Sequence, residues 1–181
     1  MRVDVVDMGD PILGNHRAKI ARDYSDGIFK MYPMSNGIVQ MVDEVYNFVS
    51  ASGSLNVLRI WGHGWAGGQL IASGADAQSG VDNASALWGP NIETYAYYIA
   101  KLGELFAADG RIELKGCSVA QGTAGEKFMI RIAVVLGYPV QASSVVQGGQ
   151  GNLTTPGVGW NGQVVEASPD YTIKYIQGSS L

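Results

Sequence analysis

Two short stretches hold the residues best suited to covalent chemistry. "RIWGHGWAGG" contains His63, and "IELKGCSVAQG" (112–122) contains Cys117, the only cysteine in the chain. The thiolate is the attacking form of cysteine, so a nucleophilic Cys117 needs a base or cation within hydrogen-bond reach of its sulfur. It also needs backbone N–H donors for an oxyanion, which glycine permits by letting a substrate approach the main chain. His63 supplies the base. Gly64, directly after it, and the amide of Cys117 itself supply the donors. The same pair also fits a plainer reading, a small buried apolar cysteine and a loop histidine, since structural cysteines are commonly buried.

Elements must bring these two stretches together. "RVDVVDMG" reads as an opening strand, followed by an irregular region through "DYSDGIFKMYP". In "SNGIVQMVDEVYNFVSASG" Ile38, Met41/Val42, Val45 and Phe48/Val49 recur at helical spacing, with Ser35 as N-cap and Gly53 beyond the end. "LNVLRIW" (55–61) is too short and too apolar for an amphipathic helix and reads as a buried strand, and "GQLIASG" is a second arm returning beside it. "NIETYAYYIAKLGELFAADG" reads as one long helix with a stripe of Ile92, Tyr95, Ile99, Leu102 and Phe106, closed by Gly110. "RIELKGC" then alternates: Ile112, Leu114 and Gly116 point one way, Glu113, Lys115 and Cys117 the other. A helix in "TAGEKFMIRIAVVLG" opens on a capping box of Thr123 and Glu126 and closes at Gly137. "PVQASSVV" is a further strand, and "GQVVEASPDYTIKYIQG" supplies one or two more.

Strands and helices alternating at these lengths predict an α/β fold with a mostly parallel sheet. Sites in such sheets gather at the carboxyl ends of strands, where His63 and Cys117 both fall. The whole chain, residues 1–181, is read as one domain, with a glycine-rich loop region over about 146–163 expected to be a flexible excursion near the cleft.

Other motifs lead nowhere. Gly62, Gly64 and Gly67 spell G-x-G-x-x-G after a strand, but no helical stripe follows to hold a pyrophosphate. "GCSVA" approximates a nucleophile elbow at Ser118, yet that arrangement needs its histidine later in the chain, and none follows residue 63. His16 sits in a polar segment and reads as solvated, and Tyr95, Tyr97 and Tyr98 read as packing residues. Trp65 and Trp88 either line a substrate cleft or cover the sheet edge.

Composition sets the outer bounds. With 46% hydrophobic and 15% charged residues, the 181-residue chain is ordinary globular protein. A net charge of -4 without a basic cluster argues against nucleic acid as a partner. One cysteine excludes an internal disulfide, and two histidines supply a zinc site poorly, so no metal and no cofactor are expected. No apolar run approaches the roughly 18 residues of a membrane span, so no membrane insertion is expected. "MRVDVVDMGD" carries acids within its apolar run and lacks the pattern of a signal peptide, and no compartment follows from it. Oligomeric state is not legible.

Taken together, "LRIWGHGWAGGQL" and "IELKGCSVAQGTAGEKFMIRIAVVLGYPVQAS" resemble the caspase-like cysteine peptidases, in which strand–His–Gly precedes strand–Cys by about 50 residues. "GCSVAQGTAGEKF" with "LGYPVQAS" is similar, more closely, to a bacterial caspase-like domain of unknown function near the start of large surface repeat proteins. The similarity covers about residues 1–146, and the glycine-rich tail has no counterpart. The resemblance implies a three-layer sandwich with helices on both faces of the sheet. It also implies a cysteine endopeptidase with Cys117 as nucleophile, His63 as general base and acid, and an oxyanion hole from the Gly64 and Cys117 amides. Its substrate is a protein or peptide, contacted by Lys115, Trp65 and Ser143. Lys115 either reads an acidic side chain there or snorkels to solvent. The residues around Cys117 do not match the caspase pentapeptide, so aspartate specificity does not carry over. The rival from another class is a catalytically inactive binding or assembly module on the same fold.

Overall fold

A seven-stranded sheet forms the centre of the computed structural model, which describes residues 1–72, 84–147, 160 and 162–177. In chain order the elements are β1 (Arg2–Asp7), α1 (Pro11–Arg22), β2 (Gly27–Met31), α2 (Gly37–Ser52) and β3 (Leu55–Trp61). Three short strands follow, β4 (Gly64–Trp65), β5 (Gly68–Leu70) and β6 (Ala86–Trp88). Then come α3 (Ala96–Gly103), β7 (Phe106–Leu114), α4 (Gly122–Leu136), β8 (Val140–Ser143), β9 (Gln163–Ala167) and β10 (Ile173–Gln177). The central order is β10-β9-β8-β7-β3-β1-β2. β2, β1, β3, β7 and β8 run parallel, and β9 and β10 add an antiparallel edge. β4, β5 and β6 form a separate antiparallel sheet. The fold is α/β.

Strand alternation gives the central sheet two unlike faces. On one, Val3, Val5, Leu58, Ile60, Ile112 and Leu114 pack with α2, α3 and α4 through residues such as Met41, Val45, Leu102, Phe128 and Ile132. On the other, Val6, Met8 and Trp61 pack with Ala18 of α1. Helices therefore cover both faces, as in a three-layer sandwich.

The α1 face is also where ionisable groups are buried. Asp4, Arg59, Glu113 and Lys115 all lie there with little exposure. The Arg59 guanidinium is 3.1 Å from Asp4 and donates to the Tyr24 carbonyl at 3.0 Å. Ser25 and the Trp61 indole also donate to Asp4. Glu113 pairs with Arg111 at 2.7 Å. The Lys115 ammonium lies 3.4 Å from the ring centroid of Trp160 and 5.4 Å from that of Trp61. Burial pushes Asp4 up to about 6 despite Arg59, and pushes Lys115 down to about 7 despite Glu113.

Several sequence expectations are corrected. The region after β1 is not irregular: it contains α1 and β2. Among its described residues α1 buries only Gly14, Ala18 and Ala21, a small-residue face that leaves no apolar stripe, and β2 is a half-buried edge strand. The long helix is short. α3 ends at Gly103, and Phe106 opens β7, where the Leu55 N–H donates to the Leu105 carbonyl at 2.8 Å and Phe106 packs on Tyr138. Gly110 sits in a register shift between the Leu55↔Phe106 and Val57↔Arg111 pairs. "GQL" pairs with β4 and β6 rather than beside β3. Asn36, not Ser35, caps α2, and Gln121 precedes α4 without a side-chain cap, while Glu126 accepts a hydrogen bond from Tyr175 instead of closing a capping box. Apart from residues 146, 147, 160, 162 and 163, the glycine-rich stretch expected over 146–163 lies outside the described residues.

Lys115 yields a stability prediction. Its folded value of about 7 lies below its ordinary 10.5, so between those values the unfolded chain holds more protons. The contribution of Lys115 to stability therefore rises with pH across that window, by at most about 1.4 kcal/mol per pH unit, and the full cost of burying its charge applies below pH 7. Lys115→Met removes the penalty while Glu113 keeps Arg111. In urea unfolding the variant should exceed wild type most at pH 7, and the gap should close towards pH 10.

Candidate functional site

β3 and β7 are adjacent and parallel, with Ile60 opposite Leu114, so the chain leaves both at the same edge. His63–Gly64 follows one strand and Gly116–Cys117 the other. The two turns touch through their main chains. A Cβ on Gly64 would stand 2.8 Å from the Cys117 carbonyl oxygen and 3.0 Å from its nitrogen, and one on Gly116 would stand 3.0 Å from the Gly64 Cα. Real Cβ atoms essentially never come as close to backbone as 2.8 Å, and 3.0 Å is tighter than nearly all of their contacts, which favours glycine at both places.

A buried glutamine fastens the two turns. Gln69, on β5, donates from Nε2 to the Ile60 carbonyl at 2.6 Å and accepts at Oε1 from the Gly116 N–H at 2.9 Å. β4 and β5 place it there, with Gly64 opposite Gln69 and the Leu70 N–H donating to the His63 carbonyl at 2.8 Å.

The turn after Cys117 is stapled on its other side. The Ser118 N–H donates to the Val145 carbonyl at 3.0 Å and the Ala120 N–H to the Ser143 carbonyl at 3.0 Å. Ser118 has φ 55, a left-handed conformation that a non-glycine residue adopts at a cost of roughly 1–3 kcal/mol. The cysteine sulfur contacts main chain: the Gln147 N–H donates to it at 3.3 Å, and Sγ lies 3.4 Å from the Gln147 carbonyl.

The β1–α1 turn adds charged groups. Asp7 accepts from the Gly9 N–H at 2.9 Å, and Asp10 caps α1 by accepting from the Ile12 and Leu13 N–H groups, each at 3.1 Å. Asp10 Oδ2 also lies 3.5 Å from His63 Nε2. The Leu13 N–H holds the Asp10 carboxyl below the ordinary aspartate value, and His63 and the Ile12 N–H add to this. Arg17 of α1 lies within electrostatic reach of Cys117, Asp7 and Asp10, and burial pushes its pKa down against their pull.

The structure therefore brings His63, Gly64 and Cys117 to one place. The remaining sequence candidates are distributed otherwise. Trp65 is half-exposed, with its ring against Gly68. Ser143 is fully buried, its hydroxyl engaged with the Val145 and Gln163 carbonyls and the Val145 N–H, so it supports the wall of the site. Lys115 does not snorkel: it is 4% exposed beneath Trp160. β7 ends at Leu114, so strand alternation does not carry from Lys115 to Cys117. Sequence reasoning missed Asp10, Arg17 and Gln69. Asp10 had a signal, an aspartate directly before a proline at a helix start. Among the described residues no group of three or more His, Cys, Asp or Glu is placed to hold a metal, and no helix is long and apolar enough to cross a membrane.

Residues 29–160 match the model of a family described as "Domain of unknown function (DUF4347)". No curated protein and no solved structure matches.

Gln69→Leu tests the fastening. The Ile60 carbonyl keeps the Lys115 N–H at 2.8 Å, but the Gly116 N–H loses its acceptor in a buried place. The expected loss is about 1–3 kcal/mol in urea unfolding, with faster hydrogen exchange at Gly116.

Proposed function

The chain belongs to this domain family, whose description assigns no activity, and we propose from the site that it is a cysteine endopeptidase of caspase-like type. The observation that carries the reading is the main-chain contact between the His63–Gly64 and Gly116–Cys117 turns at the ends of adjacent parallel strands. The order His–Gly then Gly–Cys, in which the sequence resembles caspase-like peptidases, supports it further.

His63 takes the proton from the Cys117 thiol, and the sulfur attacks the scissile carbonyl carbon. The carbonyl π electrons move onto oxygen, where the Gly64 and Cys117 N–H groups meet the charge. The oxyanion collapses, the C–N bond breaks, and the imidazolium gives its proton to the leaving amine. A water molecule, deprotonated by His63, then cleaves the thioester to a carboxylic acid and regenerates the thiol. The left-handed Ser118 fits this role, since backbone strain clusters where geometry serves chemistry.

One observation favours the rival, a catalytically inactive binding or assembly module: the main chain of Gln147 already occupies the sulfur. In the peptidase, substrate main chain takes that place. Iodoacetamide at pH 6 separates the two, because an activated thiol reacts there and an inert structural one does not. Against a peptide library, Cys117→Ala and His63→Ala should each remove essentially all cleavage, with the double variant no worse. Cleavage surviving in Cys117→Ala would exclude the mechanism.

A further inference from the structure

We propose that Asp10 is the positioning residue of this site, holding the His63 ring in the tautomer whose free nitrogen takes the thiol proton. The proposal rests on the Cys117–His63 reading above and adds a third member to it. Cys117, His63 and Asp10 follow β7, β3 and β1, three strands that lie side by side and run parallel. The nucleophile, base and carboxylate thus stand in line along one edge of the sheet.

The two oxygens of Asp10 have separate partners. Oδ1 accepts both helix N–H groups, from Ile12 and Leu13. Oδ2 faces His63 Nε2 at 3.5 Å. The cap therefore fixes the carboxylate from behind, and the remaining oxygen lies within ion-pair distance of the ring. A half-exposed pair of this kind contributes little to stability, so its consequence is orientation. With the ring proton on Nε2 and directed at the carboxylate, the lone pair lies on Nδ1. During reaction the thiol proton moves to Nδ1, and Asp10 keeps its negative charge beside the imidazolium that forms.

This division of labour makes one substitution decisive. Asp10→Asn retains the cap, because asparagine is as good an N-cap and its Oδ1 keeps the two N–H donors. Its amide nitrogen then replaces Oδ2 and offers a donor to Nε2, which forces the ring proton to Nδ1. Asp10→Ser also caps, but leaves no group opposite the ring. Long-range nitrogen–proton NMR at pH 8 reads the tautomer directly, with His16→Gln assigning the two rings.

Wild type is expected to carry Nε2–H and Asp10→Asn to carry Nδ1–H. Alkylation of Cys117 by iodoacetamide is expected to fall on the order of tenfold or more in Asp10→Asn and by less in Asp10→Ser. Both variants should melt near the wild-type temperature. An Nδ1–H ring in wild type, or an unchanged tautomer in Asp10→Asn, overturns the proposal. So does a lowered melting temperature in both variants without any tautomer change, which assigns Asp10 to the cap alone. If His63→Ala is alkylated as fast as wild type, the peptidase reading fails, while the tautomer measurement still decides the role of Asp10.

Discussion

The close approach of two main chains beyond β3 and β7 constrains everything else at this edge of the sheet. A Cβ on Gly64 or on Gly116 would force the facing main chain to shift, so the distance between the turns is set by backbone and not by adjustable side chains. The buried Gln69 amide converts this contact into a fixed one, because it satisfies Ile60 and Gly116 together. The small β4–β5–β6 sheet then has an evident purpose: it delivers Gln69. On the far side, Val145 and Ser143 hold the backbone after Cys117, and the Gly67 N–H donates to the Val119 carbonyl at 3.0 Å. The cysteine is thereby gripped from the β3 side and the β8 side at once.

The two faces of the central sheet obey different physics. One is a continuous apolar core beneath three helices, where stability follows buried area. The other mixes a small apolar cluster under α1 with Asp4, Arg59, Glu113 and Lys115. Charges removed from water to this extent rarely add net stability against apolar residues of similar size. Their proximity to the strand ends that hold Cys117 and His63 is the more informative fact. Lys115 directly precedes the Gly116–Cys117 turn, and its N–H donates to the Ile60 carbonyl that Gln69 also grips.

What the sequence made legible follows the strength of each local signal. β3 was evident because a buried parallel strand reads as a short apolar run, and α2 because Ile38, Met41, Val45 and Val49 keep one face. α1 was hidden by its own packing: Gly14, Ala18 and Ala21 allow close approach to the sheet and carry almost no hydrophobic signature. α3 was overextended because Phe106 continues the helical spacing, yet belongs to a strand whose pairing with β3 prevails over periodicity. Missing α1 also meant missing Asp10 and Arg17. The placement of Gln69 depends on a tertiary contact between two glycine turns, which no one-dimensional pattern encodes.

The clamp between Ser144 and Gln163 has a consequence for how the chain can vary. β8 and β9 are antiparallel neighbours, with Ser143 opposite Val164, and the Ser144 N–H donates to the Gln163 carbonyl at 3.1 Å. The chain thus leaves the sheet and rejoins it at almost the same point. The ends meet regardless of what lies between them, so register at this edge is independent of the length of the intervening segment. For a flexible connection, doubling its length costs only about 0.6 kcal/mol in closure entropy. Val145 and Gln147, which contact the cysteine turn, and Trp160, which lies over Lys115, are the positions relatives of this domain must keep here, while the length of chain between them is free to vary.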